Sequence, residues 1–175
     1  MATKSDYVTS GYGQVEPNRL SGQKGGLLLA DLPLDSTNSS SPLTQIENGQ
    51  YAKYDEAEGV INLTGPGDWF MCFSEPKTYG EFETTKDFVI TADSALDGKA
   101  CPRLIPINMG DAYTTNFIKK GTYTPAAKQY LTINTDGVPE IKGTSLPSGS
   151  DMVLQIVKVY TLPDGQAAVK LMRVR

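Results

Sequence analysis

The C-terminal stretch Ser150–Arg175 constrains this chain more than any other. Asp151 to Leu162 and Gln166 to Val174 are runs rich in β-branched and aliphatic residues, separated only by Pro163-Asp164-Gly165. Pro presets the first turn dihedral, Asp can bond its own backbone, and Gly takes positive φ without steric cost. The segment therefore reads as a β-hairpin closing a compact β module. In Val153–Leu162 apolar residues occupy both parities, which predicts a strand covered on both faces. Gln166–Val174 alternates more cleanly, with Ala167, Val169 and Leu171 on one face.

The rest of the chain repeats this pattern. Its 17 Gly and 11 Pro against 39% apolar residues suit a turn-rich all-β protein. Strands are predicted over Gln50–Tyr54, Val60–Thr64, Trp69–Phe73, Lys86–Thr91, Arg103–Ile107, Ala112–Ile118, Tyr130–Asn134 and Val138–Lys142. Asn48-Gly49, Asp55 to Gly59, Gly65-Pro66-Gly67, Leu96-Asp97-Gly98, Gly110-Asp111 and Thr135-Asp136-Gly137 punctuate them. Prolines 102, 106, 125, 139 and 147 assign their segments to edges or bulges. Short strands at this spacing predict a small β-barrel or sandwich.

Residues 1 to about 26 show neither period. An apolar island, Leu27 to Leu32, follows, and Pro33 to Pro42 has the composition of a linker. The division expected is an extended N-terminal arm over 1–42 and a β domain over 43–175. Ordering such an arm costs more backbone entropy than its few apolar side chains return by burial. The arm is therefore expected to be mobile on the isolated subunit and to order on a partner, by adding a strand to an exposed edge. Tyr7, Val8, Tyr12 and Leu20 are the expected anchors, with Leu27, Leu28 and Leu29 pinning the arm's root to the domain. An arm folded back on its own barrel is the competing reading.

Chemistry is sparse. There is no His, which removes the commonest general base, the Ser–His and Cys–His pairs and the usual transition-metal ligand. No catalytic residue, cofactor or metal is expected. Asp55, Glu56 and Glu58 read as a solvated turn rather than a cation site, since the EF-hand spacing is absent. Glu81 and Glu83 lie side by side at strand spacing, not across a cleft as paired glycosidase carboxylates would. Thr114-Thr115-Asn116 lacks a base other than Lys119. Trp69, Phe70 and Phe73 read as core, with carbohydrate stacking on Trp69 as the minority reading.

A net charge of −4, with sixteen scattered Lys and Arg, argues against nucleic acid as the main partner. No apolar run reaches the roughly 18 residues of a membrane span. No signal peptide is evident, so synthesis in a reducing cytoplasm is expected, with Cys72 and Cys101 as thiols.

Two segments, Cys101-Pro-Arg-Leu-Ile-Pro-Ile-Asn-Met-Gly-Asp-Ala-Tyr-Thr-Thr-Asn-Phe-Ile118 and Tyr160-Thr-Leu-Pro-Asp-Gly-Gln-Ala-Ala-Val-Lys170, carry a resemblance. They resemble small β-barrel virion proteins of tailed bacteriophages, notably auxiliary (decoration) capsid and head-fibre-base proteins of crAss-like phages infecting Bacteroides. The resemblance spans roughly 48–175, and its core is a hydrophobic residue followed by Gly-Asp-x-x-Thr-Thr-Asn. It implies a non-enzymatic protein on the outer face of an icosahedral capsid, assembled in the host cytoplasm, that reinforces contacts of the major capsid protein. A homotrimer or homodimer is expected, because closed rings are the usual way a subunit repeats. Two other classes compete: a β-sandwich carbohydrate-binding module, and a trimeric all-β nucleotide hydrolase faintly suggested by Gly59-Val-Ile-Asn-Leu63.

Overall fold

The computed structural model of the chain describes residues 4–21, 29–38, 41–74, 89–92 and 101–175. Its named elements, among the described residues, are twelve strands: β1 (Val15–Arg19), β2 (Gln45–Glu47), β3 (Tyr51–Asp55), β4 (Val60–Asn62), β5 (Trp69–Cys72), β6 (Val89–Thr91), β7 (Leu104–Pro106), β8 (Ala112–Thr115), β9 (Tyr130–Ile133), β10 (Pro139–Gly143), β11 (Val153–Thr161) and β12 (Ala167–Arg173). Antiparallel pairing sorts them into a six-stranded sheet of order β1-β8-β12-β11-β9-β10, a four-stranded sheet of order β4-β3-β5-β7, and the pair β2-β6. The fold is all-β and sandwich-like. The predicted turn Leu96–Gly98 and residues 86–88 of the predicted strand Lys86–Thr91 lie outside the described residues.

Alternation of side chains along each strand explains the layers. Tyr51 of β3, Met71 of β5 and Ile105 of β7 face the six-stranded sheet, where they meet Val15, Tyr113, Leu131, Ile141, Leu154, Val169 and Leu171. Their sequence neighbours Ala52, Cys72 and Leu104 face the other way, into a second core with Leu34, Leu43, Ile46, Ile61 and Leu63. The four-stranded sheet is thus the middle layer, buried on both faces. Its near-continuous apolar runs, such as Trp69–Phe73, follow from that position.

The turn chemistry is as the residues dictate. At the β11–β12 hairpin, Leu162 N–H donates to the Gln166 carbonyl at 2.8 Å, and Gly165 has φ of 87°. Asp164 Oδ1 accepts the Gln166 N–H at 3.0 Å. Between β9 and β10, Asn134 Oδ1 accepts the N–H groups of Asp136 and Val138, both at 2.9 Å. Pro106 and Pro139 fall on β7 and β10, each an edge strand of its sheet, where a missing N–H costs no ladder bond.

Two expectations differ from the structure. Half of β11 is not covered: Val153, Leu154 and Ile156 are buried, but Val157 to Thr161 are all exposed. The β9 ladder ends at Gln155, Ile156 still bonds Lys128 and Gln129, and beyond it β12 alone continues as partner. The segment 1–42 also departs from an arm without order of its own. Val15–Arg19 is an edge strand on β8, with Val15 opposite Thr115, Glu16 opposite Thr114 and Pro17 opposite Tyr113. Farther along, Leu34 is buried in the second core. A backbone ladder, and polar side chains of the domain that bind the segment, offset the entropy of ordering it.

Candidate functional site: the seam on strand β8

The segment Gly110–Asn116, which carries the resemblance, forms β8 and its flanks, and it is where the N-terminal segment attaches. Alternation along β8 puts Tyr113 inward. Its hydroxyl meets that of Tyr51 at 2.7 Å, bridging the two large sheets. Both rings are fully buried, and burial pushes both phenols well above their ordinary range.

The polar side chains of the segment each reach toward residues 5–21. The Asp111 carboxylate accepts the Ser21 N–H at 2.9 Å and the Ser21 hydroxyl at 2.8 Å, and also the Asn108 N–H at 2.9 Å. Thr114 Oγ1 donates to Asn18 Oδ1 at 2.8 Å, and Thr115 Oγ1 to the Gln14 carbonyl at 2.6 Å. Asn116 Oδ1 accepts the Gln14 N–H at 2.7 Å, while Ser5 Oγ donates to the Asn116 carbonyl at 2.7 Å. Farther along, Asp6 N–H donates to the Ile118 carbonyl at 2.9 Å, and the Asp6 carboxylate accepts the Lys120 N–H at 2.9 Å.

The C-terminal hairpin closes the other side of this seam. Gln166, buried, accepts the Thr9 N–H at 2.9 Å through Oε1 and donates to the Ser10 carbonyl at 3.1 Å through Nε2. The Asp164 carboxylate accepts Gln14 Nε2 at 2.7 Å, and that bond, with the Gln166 N–H, holds its carboxyl below the usual range. Gly13 crosses the Asn48-Gly49 turn so closely that a Cβ would stand 2.2 Å from the Asn48 carbonyl oxygen. Its N–H donates to the buried Glu47 carboxylate at 3.0 Å. Lys4 packs nearby. Desolvation lowers its pKa, while Asp136 and Glu47 act the other way.

The seven expected anchors fall in different places. Leu20 is buried in the first core, and Tyr7 packs half-buried against it with Lys120 Nζ 5.9 Å from its ring centroid. Leu20 therefore serves the domain's own core, where no partner surface reaches it. Val8 is half-buried and Tyr12 exposed. Leu29 pairs with Leu104 through both backbone bonds, 3.0 and 2.8 Å, and packs on the second core. Leu27 and Leu28 lie outside the described residues, as do Glu81 and Glu83.

Other candidates are absorbed by the fold. Asp55 turns inward and accepts the Glu58 N–H at 3.2 Å, closing the β3–β4 turn, while Glu56 and Glu58 are exposed. Lys119 is ion-paired to Asp136 at 2.8 Å rather than directed at a threonine. Trp69 packs against both cores, and Lys53 Nζ sits over its ring, 5.1 Å from the centroid. Among the described residues, no three or more Cys, Asp or Glu gather as a metal-holding group. Cys72 and Cys101 are both free thiols.

Gln14, Gln166, Ser5 and Ser21 were not singled out by the sequence. Nothing local marks them, because each acts on a residue at least 90 positions away. The class defined by these layers is an all-β sandwich whose N-terminal strand is seated on a polar seam. No protein-family model, curated protein or solved structure matches the chain.

Proposed function

We propose that the protein is a non-enzymatic structural component of a phage virion, bound to the outer surface of an icosahedral capsid and stabilising contacts of the major capsid protein. One observation supports this reading above others. The stretch that carries the resemblance, Gly110–Asn116, spends its side-chain hydrogen bonds on holding the fold together. Hydroxyl and carboxylate groups tied in this way serve mechanical rather than chemical roles. A multiply tethered β domain suits a part that must persist on a particle surface.

The experiment is co-sedimentation of the full chain with assembled capsids of a crAss-like phage, with and without added protein. Saturable binding and a raised capsid disruption temperature are expected. A chain that stays in the supernatant at all concentrations would overturn the proposal. Light scattering of the purified chain tests the associated trimer or dimer, and a monomer at all concentrations would remove that part alone.

A further inference from the structure

We infer that the distal edge of β11 is a docking site for an extended, acidic strand of a partner protein. The inference does not depend on the virion reading. Three features meet at this edge.

The first is an unpaired ladder. The outer strands of the six-stranded sheet are blunted in the ways edge strands usually are. β1 carries Pro17 between Glu16 and Arg19, and β10 starts at Pro139 and is bridged by Lys119 at Glu140. Val157-Lys-Val-Tyr-Thr161 has strong strand formers in Val, Tyr and Thr and no proline, and its guards are a bulge and the single charge of Lys158. A register shift between Ile156 and Lys158 places the bulge at Val157. The inward Leu162 N–H, bonded to the Gln166 carbonyl, sets the alternation that follows. Lys158 and Tyr160 direct their backbone groups to β12, and Val159 and Thr161 direct theirs outward. Those outward groups have no partner among the described residues. The chain that covers β11 earlier ends its contact at Lys128, whose N–H bonds the Ile156 carbonyl at 2.8 Å. Lys128 itself adopts a left-handed φ of 71°.

The second is uncovered apolar surface. Val157, Val159 and Tyr160 are 44%, 42% and 37% exposed, and of these only the Tyr160 ring has a charged group over it, Lys158 Nζ at 4.8 Å from the centroid. Val159 lies opposite Val169, a fully buried core residue, so it overhangs the core face without cover.

The third feature selects the partner. Lys158 lies directly opposite Lys170, a like-charge pairing that costs stability in a ladder. Lys128 stands where the covering chain leaves. None of the three has an ion pair among the described residues, although the chain carries 20 Asp and Glu against 16 Lys and Arg. A strand added here would place alternate residues beside Val159 and the intervening ones beside Lys158 and Lys170. Apolar residues suit the first set and carboxylates the second. A second copy of this edge would bring further lysines instead.

The test is an amide-resolved NMR titration of the full chain with two capped hexapeptides, one alternating Glu and Val and the other Lys and Val. The acidic peptide is expected to shift and protect the Val159 and Thr161 amides. Val159→Pro removes an outward N–H without breaking the β12 ladder, and it should abolish binding while the remaining spectrum persists. Lys158→Glu keeps the backbone intact and should weaken binding about tenfold or more. Equal binding of the basic peptide would overturn the inference, as would no binding of either. Concentration-dependent protection of Val159 and Thr161 without peptide would overturn it in favour of a second copy.

Discussion

Gly137 sits where the β9–β10 hairpin touches the middle sheet. Its carbonyl accepts the Tyr51 N–H at 2.7 Å, its φ is 74°, and a Cβ would lie 2.0 Å from the Tyr51 carbonyl oxygen. Gly165 has a similar φ of 87° but open space around it. Gly165→Ala should therefore cost only the left-handed conformation, about 1–2 kcal/mol. Gly137→Ala should cost distinctly more in urea denaturation, and equal costs would refute the close approach. The Tyr51 and Tyr113 hydroxyls satisfy each other inside the core. Tyr113→Phe leaves the Tyr51 hydroxyl buried without its partner and should cost about 1–3 kcal/mol. Adding Tyr51→Phe should then recover part of that loss, a non-additivity read from a double-mutant cycle. The Asp164 clasp is sensitive to pH. Its folded carboxyl titrates below its unfolded counterpart, chiefly through the Gln14 bond. Its contribution is thus full above about pH 4 and is lost as pH falls through the lower folded value. Hydrogen exchange at residues 9–14 should accelerate on acidification, and Asp164→Ala should remove most of that dependence. Because Asp164 is exposed, the effect belongs to the clasp rather than to global stability.

At the scale of elements, β1 is the informative one. Val15-Glu-Pro-Asn-Arg19 contains one apolar residue and two residue types that strands avoid. It is a strand because β8 offers a ladder and its side chains hold the segment at several points. Deleting residues 1–21 should therefore lower stability rather than leave it unchanged. Loss of Val15 and Leu20 burial alone is on the order of 3–6 kcal/mol, to be checked by chemical denaturation of the truncated chain. An unchanged midpoint would return the segment to the status of an independent arm. β11 makes the opposite point. Apolar residues on both parities predicted cover on both faces, yet a bulge at Val157 and the departure of the chain at Lys128 leave its distal half bare.

Across the whole molecule, the middle sheet couples two cores, and Cys72 reports on that coupling. It faces the second core, fully buried, and burial pushes its thiol up to about 12. Cys101 is half-exposed. A thiol reagent at neutral pH should modify Cys101 rapidly, and Cys72 only at the rate of global opening. Two equal rates would mean that the second core opens independently of the first.

The all-β class, ten of the twelve strands named among the described residues and the Pro163-Asp164-Gly165 turn are legible in the amino-acid order, because alternation and turn residues act over a few positions. Three-dimensional packing settles that the side chains of Gly110–Asn116 capture residues 5–21, that Gln166 clasps Thr9 and Ser10, and that the four-stranded sheet is buried twice over. The contacts of Gly110–Asn116 and Gln166 with residues 5–21 join positions 90 or more apart, as Ser5 to Asn116 does across 111. Polar residues such as Gln, Ser and Asn carry no local period by which their distant partners could be read.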